Sequence, residues 1–119
     1  MELLVAARRD AVVPALVIGL GGTWAELLDD VVVMPLPAAP ARVVAAIRSL
    51  RGAPLLCGGR GRPPLAVDAA ARLAAAAGDA LLARGLEVLE LNPVMVGRHG
   101  AGAVDAVARE GRGHAEVAA

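Results

Sequence analysis

Residues 66–84, AVDAAARLAAAAGDALLAR, constrain the fold more than any other stretch of this 119-residue chain. Alanine has the best intrinsic helix propensity, and Gly85 supplies a natural C-terminal stop. The segment predicts one long helix. The chain then changes period. Residues 86–92, 94–97 and 102–108 are short apolar runs separated by Pro93 and by GRHG (97–100), which predicts strands.

The N-terminal part has the same strand character. ELLVAA (2–7) and VVPALVIGL (12–20) read as two strands joined by the polar turn RRDA, a hairpin. Pro14 belongs at a strand start or on an edge, because it cannot donate a ladder hydrogen bond. GLGG (19–22) is a sharp break. TWAELL (23–28) fits either a strand or a helical turn, and VVVMPL (31–36) is a further strand. PARVVAAIRSLR (40–51) predicts a second helix, with Pro40 in its first turn and an apolar face of Val43, Val44, Ile47 and Leu50. GAPLLCGGRGRPP (52–64) reads as a loop. The expected class is therefore α+β: a mainly antiparallel sheet with two principal helices. Residues 1–109 form one unit without repeats or an internal boundary, and residues 110–119 read as a disordered tail. Met1 is followed at once by a strand, which fits a fragment whose upstream half lies elsewhere.

Composition narrows the function. Formal net charge is zero, so there is no global electrostatic case for nucleic acid or an anionic membrane. The apolar runs break well short of a membrane span, and the N-terminus lacks a signal-peptide layout. Cys57 is the only cysteine, which rules out an internal disulfide and fits a reducing cytoplasm. It reads as a small buried hydrophobe, and Trp24 as a core or interface anchor. All twelve basic residues are arginine, and Ser49 and Thr23 are the only hydroxyl side chains. In so biased a chain the few polar side chains that persist carry the information.

LELNPVMVGRHGAGAVDA (89–106) concentrates them. Asn92 is the only asparagine, two residues after Glu90. Residues i and i+2 of a strand share a face. With GRHG as the loop, Val96 lies opposite Ala101, Val94 opposite Ala103, and Asn92 opposite Asp105. Directly opposed residues have Cβ atoms roughly 4.5–5.5 Å apart. Glu90, Asn92 and Asp105 would then bring three oxygen-bearing side chains together. A sparse all-oxygen set suits Mg²⁺, which completes its shell with water and substrate phosphates. Acidic residues on a strand are also commonly just solvated, and a one-residue slip would send Asp105 to the other face.

Other motifs are less specific. The amides of GLGG could cradle a phosphate, but the motif is not a P-loop. It is not the dinucleotide fingerprint either, since Trp24 stands where the third glycine belongs. Tight turning alone explains such glycines as well. Arg60 and Arg62 in RGRPP are candidate phosphate or partner contacts. His99 and His114 have no Cys or His at ligand spacing and read as surface residues.

Taken in order, ELLVAARRDAVVPALVIGLGGTWAELLDDV, LRGAPLLCGGRGRPP and LELNPVMV…AVDA resemble the C-terminal half of the ATP-grasp domain of ADP-forming acyl-CoA synthetases. These are the acetate–CoA ligases (ADP-forming), relatives of the succinyl-CoA synthetase β subunit. The resemblance spans residues 2–109. It implies an ATP-grasp C-terminal subdomain and a part in the reaction acyl-CoA + ADP + phosphate ⇌ acid + CoA + ATP, run through an acyl phosphate and a phosphohistidine. It implies Mg²⁺ held by Asn92 and Asp105 with Glu90 nearby. It also implies ATP or ADP phosphates beside Gly19, Gly21 and Gly22, with Glu26 just beyond. The expected partners are the upstream ATP-grasp half and a CoA-binding domain or subunit. A second copy of the chain could also pack on the exposed apolar face. The family's upstream lysine has no counterpart, and neither histidine matches the phosphorylated one. No catalytic residue is therefore assigned, and the isolated chain is expected to be inactive. The alternative is a non-catalytic α+β interaction module that keeps the fold.

Overall fold

The computed structural model describes residues 1–9, 12–22 and 29–111. Strands β1 (Glu2–Arg8), β2 (Ala15–Leu20) and β3 (Val31–Pro35) form an antiparallel meander. Helix α1 (Pro40–Arg48), a four-residue helix α2 (Ala53–Leu56) and a 3₁₀ turn (Gly59–Gly61) lead to the long helix α3 (Val67–Arg84). Three strands follow: β4 (Leu86–Val96), β5 (Ala101–Ala103) and β6 (Ala106–Glu110). The sheet is six-stranded in the order β3-β2-β1-β4-β5, and β6 also pairs with β4. Every pairing is antiparallel. The α+β class and the two principal helices are as the sequence predicts.

The helices cover one face of the sheet. Leu3, Val5 and Ala7 of β1, Leu16 and Ile18 of β2, and Leu91, Val94 and Val96 of β4 point into the core with Val43 and Ile47 of α1. Helix α3 contributes mostly small residues: Ala70, Ala71, Ala74, Ala75 and Ala77 are all buried. Small side chains let its backbone approach its neighbours closely, and a Cβ at Gly78 would run into Leu36. Gly85 ends the helix in the left-handed conformation, as a glycine C-terminal stop requires.

Several boundaries differ from the sequence expectation. The strands expected at 86–92 and 94–97 are one strand. Pro93 does not break it, because β4 bulges there: Leu3 pairs with Val94 and Val5 with Leu91, leaving Leu4 opposite two residues. The strand expected at 102–108 is divided at Val104 and Asp105 into β5 and β6. The loop expected at 52–64 contains α2, started by Pro54 in its first turn. Cys57, expected to be buried, is exposed at the C-terminal end of the four-residue α2. Pro14 sits just ahead of β2, where its carbonyl accepts from the Leu36 amide at 2.9 Å. Strand β6 continues through Glu110. The TWAELL segment, including Trp24, lies outside the described residues, as do residues 112–119 of the expected tail, including His114. No described helix is long and apolar enough to cross a membrane.

Ala74 is fully buried in the middle of the α3 contact. Ala74→Leu should lower stability by about 1–3 kcal/mol, the usual cost of overpacking a tight core. A urea titration followed by circular dichroism would register this as a lower midpoint at constant slope.

Candidate functional site

The pairing of β4 with β5 and β6 is continuous. Val96 lies opposite Ala101 and Val94 opposite Ala103. The same register resumes at Leu91 with Ala106 and Glu90 with Val107. Between these segments the Asn92 amide donates to the Asp105 carbonyl at 3.2 Å, and the Val104 amide to the Pro93 carbonyl at 2.9 Å. Asn92 and Asp105 are therefore opposed, as the hairpin argument requires.

Alternation decides which face they occupy. Leu91 and Val94 belong to the core, so Glu90 and Asn92 point to the face without helices. Glu90, Asn92, Asp105 and Val107 line a common shallow pocket of about 180 Å³. Asp105 Oδ1 accepts from the Ala106 amide at 2.8 Å, which holds the carboxylate in place and leaves its second oxygen available. No described residue donates to the side chains of Glu90 or Asn92. Two carboxylates and an amide oxygen thus share one open pocket that no described basic side chain lines. No group of three or more His, Cys, Asp and Glu side chains able to hold a metal occurs among the described residues, so a dedicated all-protein metal cage is absent there. The donors present instead suit a hard cation that keeps much of its shell for water or a ligand.

Gly19 lies on the same face. Gly19 pairs with Val31 on one side and with Leu4 on the other. Leu4 in turn lies opposite the bulge at Asn92 and Pro93. Gly19 is therefore two strand spacings, roughly 10 Å, from Asn92 in the same transverse row. A Cβ on Gly19 would lie 2.6 Å from Val31 Cγ1 and 3.1 Å from the Asp30 carbonyl oxygen, so close packing with β3 accounts for the glycine. The Gly21 amide is already committed to the Glu2 carbonyl at 2.9 Å. Gly22 is exposed with φ of +90°, a conformation that favours glycine. Glu26 lies outside the described residues. Arg60 and Arg62 are exposed on and just after the 3₁₀ turn. Arg62 borders a different hollow, with Met1 and Leu55, that shares no residue with the acidic pocket. His99 is exposed, as its sequence context implies.

Sequence reasoning missed Asp30, the buried charged residue of the described chain, at 7% exposure. Its Oδ1 accepts from the Arg51 amide at 2.8 Å and its Oδ2 from the Gly52 amide at 2.7 Å, with Arg51 Nε 3.8 Å from Oδ1. Its carbonyl accepts from the Leu20 amide at 3.0 Å. Asp30 thus ties the α1–α2 connection to the end of β2, next to the glycines. In sequence it is the second of two adjacent aspartates, and nothing there separates it from exposed Asp29.

A family model described as an ATP-grasp domain matches residues 1–109. The chain belongs to the ATP-grasp family. The β subunit of an ADP-forming acetate–CoA ligase from Pyrococcus furiosus is 33% identical over 94 residues, which cover 78% of this chain and 40% of that protein. A trans-feruloyl-CoA synthase from an unknown prokaryotic organism is 34% identical over 110 residues, covering 89% of this chain and 16% of that one. Among solved structures, a dinucleotide-forming acetyl-CoA synthetase of Candidatus Korarchaeum cryptofilum superposes with a TM-score of 0.84 at 28% identity, over 92% of this chain and 53% of that chain. That structure holds coenzyme A and Mg-AMPPCP. This ATP-grasp chain therefore spans about half the length of that solved chain, and less of the two curated relatives.

Asp30→Ala would leave two partly buried amides without their acceptor. Each such bond to a charged group contributes about 1.5–3 kcal/mol. The variant should lose several kcal/mol in chemical denaturation, and Asp30→Asn, which keeps one acceptor oxygen, about half as much.

Proposed function

We propose that this chain supplies the Mg²⁺ and phosphate floor of an ADP-forming acyl-CoA synthetase. The whole reaction would be acyl-CoA + ADP + phosphate ⇌ acid + CoA + ATP. The observation that carries this reading is the meeting of Glu90, Asn92 and Asp105 around one open pocket of the helix-free face. The relatives support the assignment to this branch of the ATP-grasp family.

In this reading the nucleotide lies across the open face, with Gly19 and Asn92 in one row beneath it. Asn92 and Asp105 would hold Mg²⁺, with Glu90 beside them or linked through water. Bound there, Mg²⁺ would neutralise phosphate charge during phosphoryl transfer. The chain's own part is to fix the donor oxygens before the phosphates arrive. The Ala106 amide on Asp105 Oδ1 does this for one of them, and such prior orientation spares reorganisation in the transition state. Gly21 and Gly22, with Glu26 beyond, would border the phosphates, and Gly19 would lie beneath them, where it lets β3 pack closely against β2. Arg60 and Arg62 are assigned to contacts with a partner rather than to this floor.

The same face is apolar around the acidic pocket. Val33, Val17, Ala6, Glu90 and Val107 form one transverse row through successive pairs. Its two ends, Val33 and Val107, are 61% and 59% exposed. We assign this rim to an upstream ATP-grasp half that would close over the nucleotide. A CoA-binding domain or subunit would complete the cycle, in the cytoplasm. Isolated, the chain would bind Mg-nucleotide weakly and turn nothing over.

Calorimetric titration of MgADP and MgATP, with and without an added upstream ATP-grasp half, tests this reading. Binding should require Mg²⁺, strengthen with the added half, and weaken at least about tenfold in Asp105→Ala and in Asn92→Ala. Nucleotide affinity indifferent to both substitutions and to Mg²⁺ would refute it. A folded chain that binds a protein partner but no nucleotide, even with the half added, would favour the interaction-module alternative.

A further inference from the structure

A second hollow, of about 380 Å³, opens away from the acidic pocket and shares no residue with it. Four segments build it. Arg48 ends α1, Cys57 follows α2, Arg72 lies in the second turn of α3, and Arg98 and His99 form the β4–β5 turn. Three exposed arginines from places distant in sequence thus line one hollow, and Asp68 is the acidic residue among its lining. No described residue accepts a hydrogen bond or ion pair from Arg48, Arg72 or Arg98. In a chain of zero net charge, three arginines around one concavity with no partner among the described residues represent a local excess that a bound anion would relieve. The first turn of α3 also borders the hollow, and no side chain caps that helix.

The size and lining of the hollow suit a phosphate group. Its volume matches roughly a dozen waters, which is room for a compact polyanion and part of the molecule carrying it. Arginine forks suit the tetrahedral oxygens of phosphate bidentately. An adjoining hollow, reached past Arg98 and Leu65, is lined by Met1, Leu55, Pro63 and Arg62 and is more apolar. It could seat the organic body of an ester while the phosphate stays among the arginines.

We propose that the hollow between α1, α3 and the β4–β5 turn binds a phosphate group, through Arg48, Arg72 and Arg98. This site is independent of the proposed nucleotide floor. Inorganic phosphate and phenyl phosphate are the two probes, titrated into the full chain at constant ionic strength and followed by phosphorus NMR. Cys57, the sole cysteine, reports the location through its rate of alkylation by uncharged iodoacetamide.

Both probes should bind and should slow alkylation. Tighter binding of phenyl phosphate identifies an ester as the ligand class, and equal binding identifies free phosphate. Arg72→Gln and Arg98→Gln should each weaken binding about tenfold, the effect of one lost charge-assisted contact. Arg42→Gln, a surface change outside the hollow, should leave binding intact, as should Asp105→Ala. Circular dichroism checks that each variant is folded. The proposal is overturned by any of four results: no binding beyond that of chloride, binding indifferent to both arginine substitutions, binding that leaves Cys57 alkylation unchanged, or binding lost in Asp105→Ala.

Discussion

Strand β4 is the constraint on which the rest of this structure depends. It pairs with β1 on one edge and with β5 and β6 on the other. Its core-facing residues Leu91, Val94 and Val96 must stay under the helices. Because strand side chains alternate with a period of two, that requirement fixes where Glu90 and Asn92 point. The bulge at Asn92 and Pro93 then sets the phase of the next stretch, so that Val94 returns to the core. Slipping the strand by one residue would bury Glu90 and expose Leu91. The hydrophobic core therefore holds the acidic pocket in place, although no core residue touches it.

The two faces of the sheet consequently do different work. One is sealed by α1 and by an α3 whose alanines allow a close approach. The other carries the acidic pocket within a rim of half-exposed valines. Glycine and Asp30 hold the far end of that open face together. Gly19 lets β3 pack tightly against β2, while Asp30 fastens the α1–α2 connection to the same corner. A buried carboxylate is tolerated there because two backbone amides and the nearby Arg51 guanidinium replace the water it loses.

Much of this was legible in the sequence, for identifiable reasons. Helix α3 is long and alanine-rich, and a short glycine-bounded loop sets the β4–β5 register. Counting back from that loop places Asn92 opposite Asp105, since antiparallel pairing leaves no freedom once the turn is chosen. What failed was information that lives in tertiary packing. Pro93 looked like a strand break because its lack of an amide is harmless only at a bulge, and a bulge depends on the partner strand. Cys57 looked buried by residue type, whereas its position after a four-residue helix exposes it. Asp30 was invisible because its partners are the backbone amides of residues 51 and 52, and amides carry no sequence signature.

Net charge was the least informative of the global quantities. Zero for the whole chain is the sum of strongly unequal places. Glu90 and Asp105 line one pocket of the open face that no described basic side chain lines, while Arg48, Arg72 and Arg98 line a separate hollow beside the helices. In the proposed reading the acidic pocket would take a cation and the arginine-lined hollow an anion. Opposite charges kept apart within one small fold, rather than paired with each other, remain available for ligands. The packing of β4 and α3 maintains that separation, so the core that stabilises the chain also keeps both pockets open to a ligand.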